Sequence, residues 1–273
     1  MPKIERRKVS RINKESCWLN NHANNVRSQF GEDGIIDKIF SVIGSGSRSC
    51  VEFGAWDGEF LSNTWNLINN NEWSGVLIEG DSERAASLAE KYVNKKNITA
   101  INSFVGWSGK QALDAILKKV DLIKNFELLS IDVDGNDWHI WAALENYTPK
   151  VVVVEFNPTI PNDVYFIQDP DPSINQGCSL LALIELGKQK GYELISTTTC
   201  NGIFVQKEFF PLFNIADNSI DAMHDQALDI ALFQGYDGTF FGAGHMYLNW
   251  RGIPIEQEDL QPLPKSMRNY QYE

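Results

Sequence analysis

Hydrophobic and polar positions alternate between two periods along the chain, which predicts a regular succession of helices and strands. From Ser28 to Ile43, the residues Ile35, Ile36, Ile39, Phe40 and Ile43 recur at helical spacing, predicting an amphipathic helix ended by Gly44 and Gly46. Cys50 to Phe53 reads as a short buried strand, and Phe60 to Asn70 as the helix after a glycine-bearing turn. Val76 to Ile78 is the next strand, and Ser82 is the predicted N-cap of a helix that carries alanines and leucine from Arg84 to Tyr92. The same reading gives a strand at Ile98 to Ile101, a helix at Lys110 to Val120, a strand at Leu128 to Ile131 and a helix at Trp138 to Leu144. Val151 to Val154 is an unbroken β-branched run, which suits a central parallel strand covered by helices on both faces.

Asn157 to Gly177 contains Pro158, Pro161, Pro170 and Pro172 and is expected to be an irregular excursion able to cover a pocket. A helix at Leu180 to Lys190 closes at Gly191. The strands Tyr192 to Ser196 and Gly202 to Val205 then lie too close in sequence for a crossover helix, so they form an antiparallel hairpin. The predicted fold class is therefore α/β: a doubly wound, mostly parallel sheet with a C-terminal antiparallel hairpin, an N-terminal helix and a C-terminal extension. Three segments follow: a leader over 1–27, a Rossmann-like domain over 28–208 and the extension over 209–273. In the extension, Gly235, Gly238, Gly242 and Gly244 are interleaved with Tyr236, Phe240, Phe241, Tyr247 and Trp250. A lid, a homo-oligomer contact and ordinary edge packing all fit that pattern.

Composition narrows the function classes. With 43% hydrophobic and 22% charged residues, the chain can bury a core and is neither a disordered polymer nor a membrane protein. A net charge of −12 disfavours a nucleic-acid partner, because binding a phosphate backbone rests on clustered Lys and Arg. The basic group Lys3, Arg6, Arg7, Lys8, Arg11 and Lys14 reads as a solvated leader, with an arm for an anionic partner as the alternative. Cys17, Cys50, Cys178 and Cys200 show no CxxC spacing, which predicts reduced thiols and a cytoplasmic location. No apolar run approaches the roughly 18 residues of a spanning helix, so no membrane association is expected.

Chemistry concentrates at predicted strand ends. VEFGAWDG (Val51 to Gly58) contains E-x-G-x-x-x-G between a strand and a helix, where Gly54 and Gly58 let the backbone approach a ligand. The G-x-G-x-x-G spacing of dinucleotide sites is absent, and Glu52 and Asp57 suit an ammonium and hydroxyl groups better than a pyrophosphate. Glu79 ends the second strand in GVLIEGD, where α/β nucleoside sites place a ribose-reading carboxylate.

SQFGEDG (Ser28 to Gly34), GAWDGEFLSNTW (Gly54 to Trp65), WSGVLIEGD (Trp73 to Asp81) and LLSIDVDGND (Leu128 to Asp137) resemble FkbM-type methyltransferases, a likeness that spans about Ser28 to Val205. The order of elements is likewise similar to the class I methyltransferase sheet. The resemblance implies S-adenosyl-L-methionine as cofactor, with Glu52, Gly54 and Gly58 along its methionine portion, Glu79 at the ribose, and Asn102 and Ser103 on the adenine side. It also implies O-methylation of a hydroxyl on a small acceptor such as a sugar or a polyketide-like metabolite. Here Gly80 stands after Glu79, where members of the family more often carry proline.

Asp132, Asp134 and Asp137 follow the fourth strand in IDVDGND, and Glu155 and Asn157 follow the fifth. The spacing is not that of an EF-hand, since glycine stands at the fourth position of the loop and Ala143 where the bidentate glutamate belongs. Asp132 is the candidate general base, with His139 and His245 as alternatives. Asp137 also fits a helix N-cap, and Asp134 a loop carboxylate. Asp132, Asp134 and Glu155 could together hold a divalent metal such as magnesium. The Asp132-x-Asp134 pair is similar to the metal motif of nucleotide-sugar glycosyltransferases, which is the alternative enzyme class. A cofactor-binding module without catalysis is the third reading.

Overall fold

The computed structural model describes residues 2–7, 10–120 and 125–270; Lys8 of the basic cluster lies outside them. A seven-stranded sheet forms the centre, built from β1 (Ser49–Phe53), β2 (Ser74–Glu79), β3 (Ile98–Asn102), β4 (Leu128–Ile131), β5 (Val151–Glu155), β6 (Tyr192–Thr197) and β7 (Asn201–Gln206). Its order is β3-β2-β1-β4-β5-β7-β6, with β7 antiparallel to both β5 and β6 and the other pairs parallel. The expected doubly wound sheet with a terminal antiparallel hairpin is thus the observed architecture. β1, β4 and the valines of β5 are buried throughout, as strands covered on both faces require.

The parallel register aligns the carboxyl ends of five strands on one edge. Phe53 pairs with Ile78 and Ile131, Glu79 with Asn102, and Ile131 with Val154. Gly54, Glu79, Ser103, Asp132 and Glu155 therefore emerge side by side, at the edge where open α/β sheets build their sites.

The helices are α1 (Glu32–Ile43), α2 (Trp65–Asn70), α3 (Ser82–Tyr92), α4 (Leu113–Leu117), α5 (Asp137–Ala143), α6 (Leu180–Gln189) and α7 (Ile220–Met223). α1 starts at Glu32 rather than Ser28, because the Asp33 carboxylate reaches back to accept the Val26, Arg27 and Ser28 amides and holds that stretch outside the helix. α2 starts at Trp65 rather than Phe60. Ser62, Asn63 and Thr64 instead bond the Glu52 carboxylate, and Phe60 and Leu61 before them are exposed. The N-cap of α3 is Asp81, not Ser82: its side chain accepts from the Glu83 and Arg84 amides. The helix expected from Lys110 to Val120 divides into a 3-10 turn at Gly109–Gln111 and the short α4.

The segment before Ser28 is not uniformly solvated. Cys17 and Leu19 join the core cluster, Arg6 pairs with buried Asp229 at 2.6 Å, and Arg11 pairs with Asp221 at 2.8 Å. These contacts tie the N-terminal residues to the C-terminal ones. The extension contains two small antiparallel pairs, β8 (Ile230–Gln234) with β9 (Phe240–Gly244), and β10 (Tyr247–Leu248) with β11 (Ile253–Pro254). Cys17, Cys50, Cys178 and Cys200 are all free thiols. Among the described residues no helix is long and apolar enough to cross a membrane.

Candidate active site

A cleft of about 490 Å³ opens at the carboxyl edge of β1, β2, β3 and β4, within the size range of small-molecule sites. Its lining includes Glu52, Gly54, Glu79, Ser103, Asp132 and Glu155. Three non-glycine residues held at positive φ, Trp56 (50°), Leu61 (56°) and Asp134 (56°), also line it. Backbone strain of this kind persists only where surrounding contacts fix it, and it concentrates at functional sites.

Glu52 supplies one of those fixing contacts. Its buried carboxylate accepts hydrogen bonds from the Ser62 hydroxyl (2.6 Å), the Thr64 hydroxyl (2.7 Å) and the Asn63 amide (2.8 Å). Burial raises its pKa and these donors oppose the rise. Glu52 therefore shapes the cleft wall through its own loop. Glu79 acts similarly on the facing wall, where it accepts the Trp56 amide on one oxygen and the Asp81 amide on the other, each at 2.8 Å. An anionic carboxylate oxygen has a second lone pair, so each can still accept from a ligand hydroxyl. Arg84 lies over the Trp56 ring with its guanidinium carbon 3.4 Å from the centroid, closing one side of the cleft with a cation–π contact.

The two motif glycines have different reasons. Gly54 sits at φ +71°, and a Cβ there would meet the Asp132 carbonyl oxygen at 1.7 Å. Its missing side chain lets the β1 and β4 loops touch. A Cβ on Gly58 would meet Tyr92 at 2.6 Å and Leu88 at 2.7 Å, so that glycine serves packing against α3. Neither Gly58 nor Asp57 is part of the cleft lining. Asp57 turns away to pair with Lys91 at 2.7 Å. Ser103 lines the cleft beyond β3, whereas Asn102 donates to the Glu79 carbonyl at 3.1 Å and does not line it.

At the inner end, one carboxylate oxygen from each of Asp132, Asp137 and Glu155 lies within 4.8 Å of the others. Asp137, the first residue of α5, replaces Asp134 in the expected trio because its carboxylate turns inward to accept the Val133 and Gly135 amides, each at 2.9 Å. Asp134 is exposed on its strained loop. Surrounding protein atoms, and then the charges of Asp137 and Asp134, push Asp132 up to about 7, although its side chain opens to the cleft. Desolvation, and then the Asp132 charge, raise Glu155 as well, and a side-chain hydrogen bond joins the two carboxyls. Burial raises Asp137 to about 6 against its backbone donors.

The two histidines lie elsewhere. His139 Nε2 is 2.8 Å from the Gln168 carbonyl oxygen, between the Trp107 and Trp138 rings, and His245 Nε2 is 2.8 Å from Asn249 Oδ1. Neither lines the cleft, so neither geometry suits a general base there.

A second cavity of about 720 Å³ adjoins the first and shares Asp134, Glu155 and Trp250 with it. One wall comes from the excursion after β5 and the other from the C-terminal extension. No sequence motif marked this cavity. Trp250 and Tyr247 stood out only as aromatics, and Asn175 and Gln176 only as members of an irregular segment.

The strand order and the cleft at its carboxyl edge define a Rossmann-like, doubly wound α/β fold that ends in an antiparallel hairpin. No family model matches the sequence, and no curated protein matches it. The chain is similar in structure to an S-adenosylmethionine-dependent methyltransferase from Aquifex aeolicus, at 11% identity and a TM-score of 0.40, over 69% of this chain and 96% of that one. A putative O-methyltransferase from Klebsiella pneumoniae aligns at 14% identity and 0.43, over 71% and 89%. A methyltransferase from Clostridium acetobutylicum ATCC 824 aligns at 8% and 0.39, over 64% and 90%. Likeness at this level carries no argument about chemistry, which rests on the chain's own residues.

Proposed function

We propose that the chain is an S-adenosyl-L-methionine-dependent methyltransferase of the FkbM type that methylates a hydroxyl oxygen of a small acceptor, a sugar or a polyketide-like metabolite. One observation carries the reading: a cleft walled by Gly54 and Glu79 ends at Asp132, whose carboxylate opens to the cleft beside Glu155 and is pushed up to about 7.

The cleft fits the cofactor by its donor set. The Glu79 oxygens would accept from the ribose hydroxyls, and Phe104 and Val105, beyond β3, would offer apolar contact to an adenine. The acidic edge favours a cationic sulfonium and ammonium over a pyrophosphate. When bound, S-adenosylmethionine supplies an electrophilic methyl group and leaves as a neutral thioether. Asp132 would hold the acceptor hydroxyl and take up its proton. A proton shared between Asp132 and Glu155 prevents two adjacent anions from repelling each other. The side chains around the cleft hold the reactants in line and limit water. In this reading Asp57, Gly58 and Asn102 support the cleft from outside, and His139 and His245 take no part.

The test is calorimetric titration of the full chain with S-adenosylhomocysteine. Saturable binding is expected, and weaker binding in a folded Glu79→Ala variant ties it to this cleft.

The cluster of three carboxylate oxygens favours one second reading, in which a magnesium ion sits at Asp132, Asp137 and Glu155 and orients the acceptor hydroxyl. Methyl transfer that survives rigorous chelation supports the metal-free pair; loss with rescue by magnesium supports the cation.

A further inference from the structure

The second cavity has two chemically different walls. From the excursion after β5 come Asn157, Thr159, Asn175 and Gln176, a set of amides and a hydroxyl. Asn175 spends its amide nitrogen on the Asp134 carbonyl at 2.9 Å, which leaves its side-chain oxygen as an acceptor. The extension supplies the other lining, mainly the rings of Tyr247 and Trp250 with Ile230, Leu248 and Ile255, and with Asn249 and Arg251 as its polar members. Trp250 is 68% exposed, so its indole face is open to a ligand.

This pairing discriminates among small hydroxyl compounds. Asn157 and Thr159 bond each other and the Gln176 carbonyl, so the groups turned to a ligand are the Asn175 oxygen and the Gln176 amide; a polyketide chain or an aromatic ring would desolvate these two without replacing their bonds to water, at a cost for each. An acyclic polyol would present no apolar face to the indole. A pyranose ring satisfies both walls, because its C–H face packs on an aromatic ring while its hydroxyls radiate toward donors and acceptors. Position agrees with chemistry: Trp250, Asp134 and Glu155 belong to both cavities, so a ring stacked on Trp250 stands at the junction that leads to Asp132.

We propose that this cavity is the acceptor site and that its occupant is a saccharide ring, stacked on Trp250 and bonded by Asn175 and Gln176, with one ring hydroxyl directed to the Asp132–Glu155 pair. The identity of the acceptor rests on the methyl-transfer reading, but the binding of saccharide does not require it.

Saturation-transfer NMR on the full chain tests the proposal without cofactor, using a panel of methyl pyranosides with sorbitol and a hydroxylated macrolactone as comparators. The expected result is transfer to the ring C–H protons of at least one pyranoside and little to sorbitol or macrolactone. In Trp250→Ala the affinity should fall roughly tenfold, and Trp250→Phe should restore most of it. Ile255→Trp, which fills the second cavity away from the cleft, should abolish transfer to the pyranoside yet leave calorimetric S-adenosylhomocysteine binding intact. Transfer to macrolactone alone, absence of transfer to every pyranoside, or equal transfer in wild type and folded Trp250→Ala overturns the proposal. Pyranoside binding without any S-adenosylhomocysteine binding would leave this site standing and remove the methyl-transfer reading.

Discussion

Gly54→Ala separates two reasons for the motif glycine, namely room for a ligand and room for Asp132. The added methyl would lie 1.7 Å from the Asp132 carbonyl oxygen, whereas carbon–oxygen contacts settle at about 3.3 Å or more, so the two loops must part by about 1.5 Å. An L-residue at φ +71° adds roughly 1–2 kcal/mol of backbone strain, and overpacking adds about 1–3 kcal/mol. A loss of about 2–5 kcal/mol is expected, against a domain stability of about 5–15 kcal/mol, so the variant should fold. Its Asp132 is displaced, and misplacement of about 1 Å can cost on the order of a hundredfold in rate. Urea denaturation measures the stability, and calorimetry on the same sample measures S-adenosylhomocysteine affinity. Stability should drop and binding should weaken together. A variant as stable as wild type that has lost only the ligand would refute the contact with Asp132 as the reason for this glycine.

Other expectations follow from the same geometry. Asp57→Asn should leave cofactor affinity unchanged, because Asp57 faces Lys91 outside the cleft; a clear calorimetric loss would contradict that placement. Glu79→Ala should weaken S-adenosylhomocysteine binding by about 1.5–3 kcal/mol, with Glu79→Gln intermediate, since an amide oxygen can still accept one bond. Folded Asp132 and Glu155 have pKa values above the ordinary carboxylate range, so the stability they contribute is fully present below that range and is lost as pH rises through the folded values, about 7 for Asp132. Thermal melts of Glu155→Gln against wild type should therefore show a stability advantage for the variant that grows from pH 5 to pH 9; a constant or shrinking difference would reject the shared-proton pair. His139→Gln should keep the wild-type pH dependence of methyl transfer, measured once an acceptor is in hand.

Much of the sheet was legible because its strands are short apolar runs set between helical patterns, and the four valines from Val151 to Val154 needed no tertiary information. Helix starts were less legible. Phe60 and Leu61 read as helical because apolar spacing does not register the Glu52 carboxylate, which draws Ser62, Asn63 and Thr64 into a loop through three hydrogen bonds. Asp81 outcompeted Ser82 as a cap through an equally local contact. In the site, strand-end positions placed Glu79, Asp132 and Glu155 at one edge, but spacing could not say where a side chain turns. Asp137 faces inward and Asp134 outward, although either fits the motif IDVDGND. Arg84 over Trp56, and the aromatic wall at Trp250, join elements far apart in sequence, so no local pattern announced them.

The cleft between Gly54 and Glu79 is the proposed seat of S-adenosyl-L-methionine. The most direct test is calorimetric titration of the full chain with S-adenosylhomocysteine, beside a parallel titration with a uridine diphosphate sugar and magnesium. One saturable site is expected for S-adenosylhomocysteine and none for the sugar nucleotide. No heat with S-adenosylhomocysteine at millimolar concentration, or binding of the sugar nucleotide in its place, would contradict it.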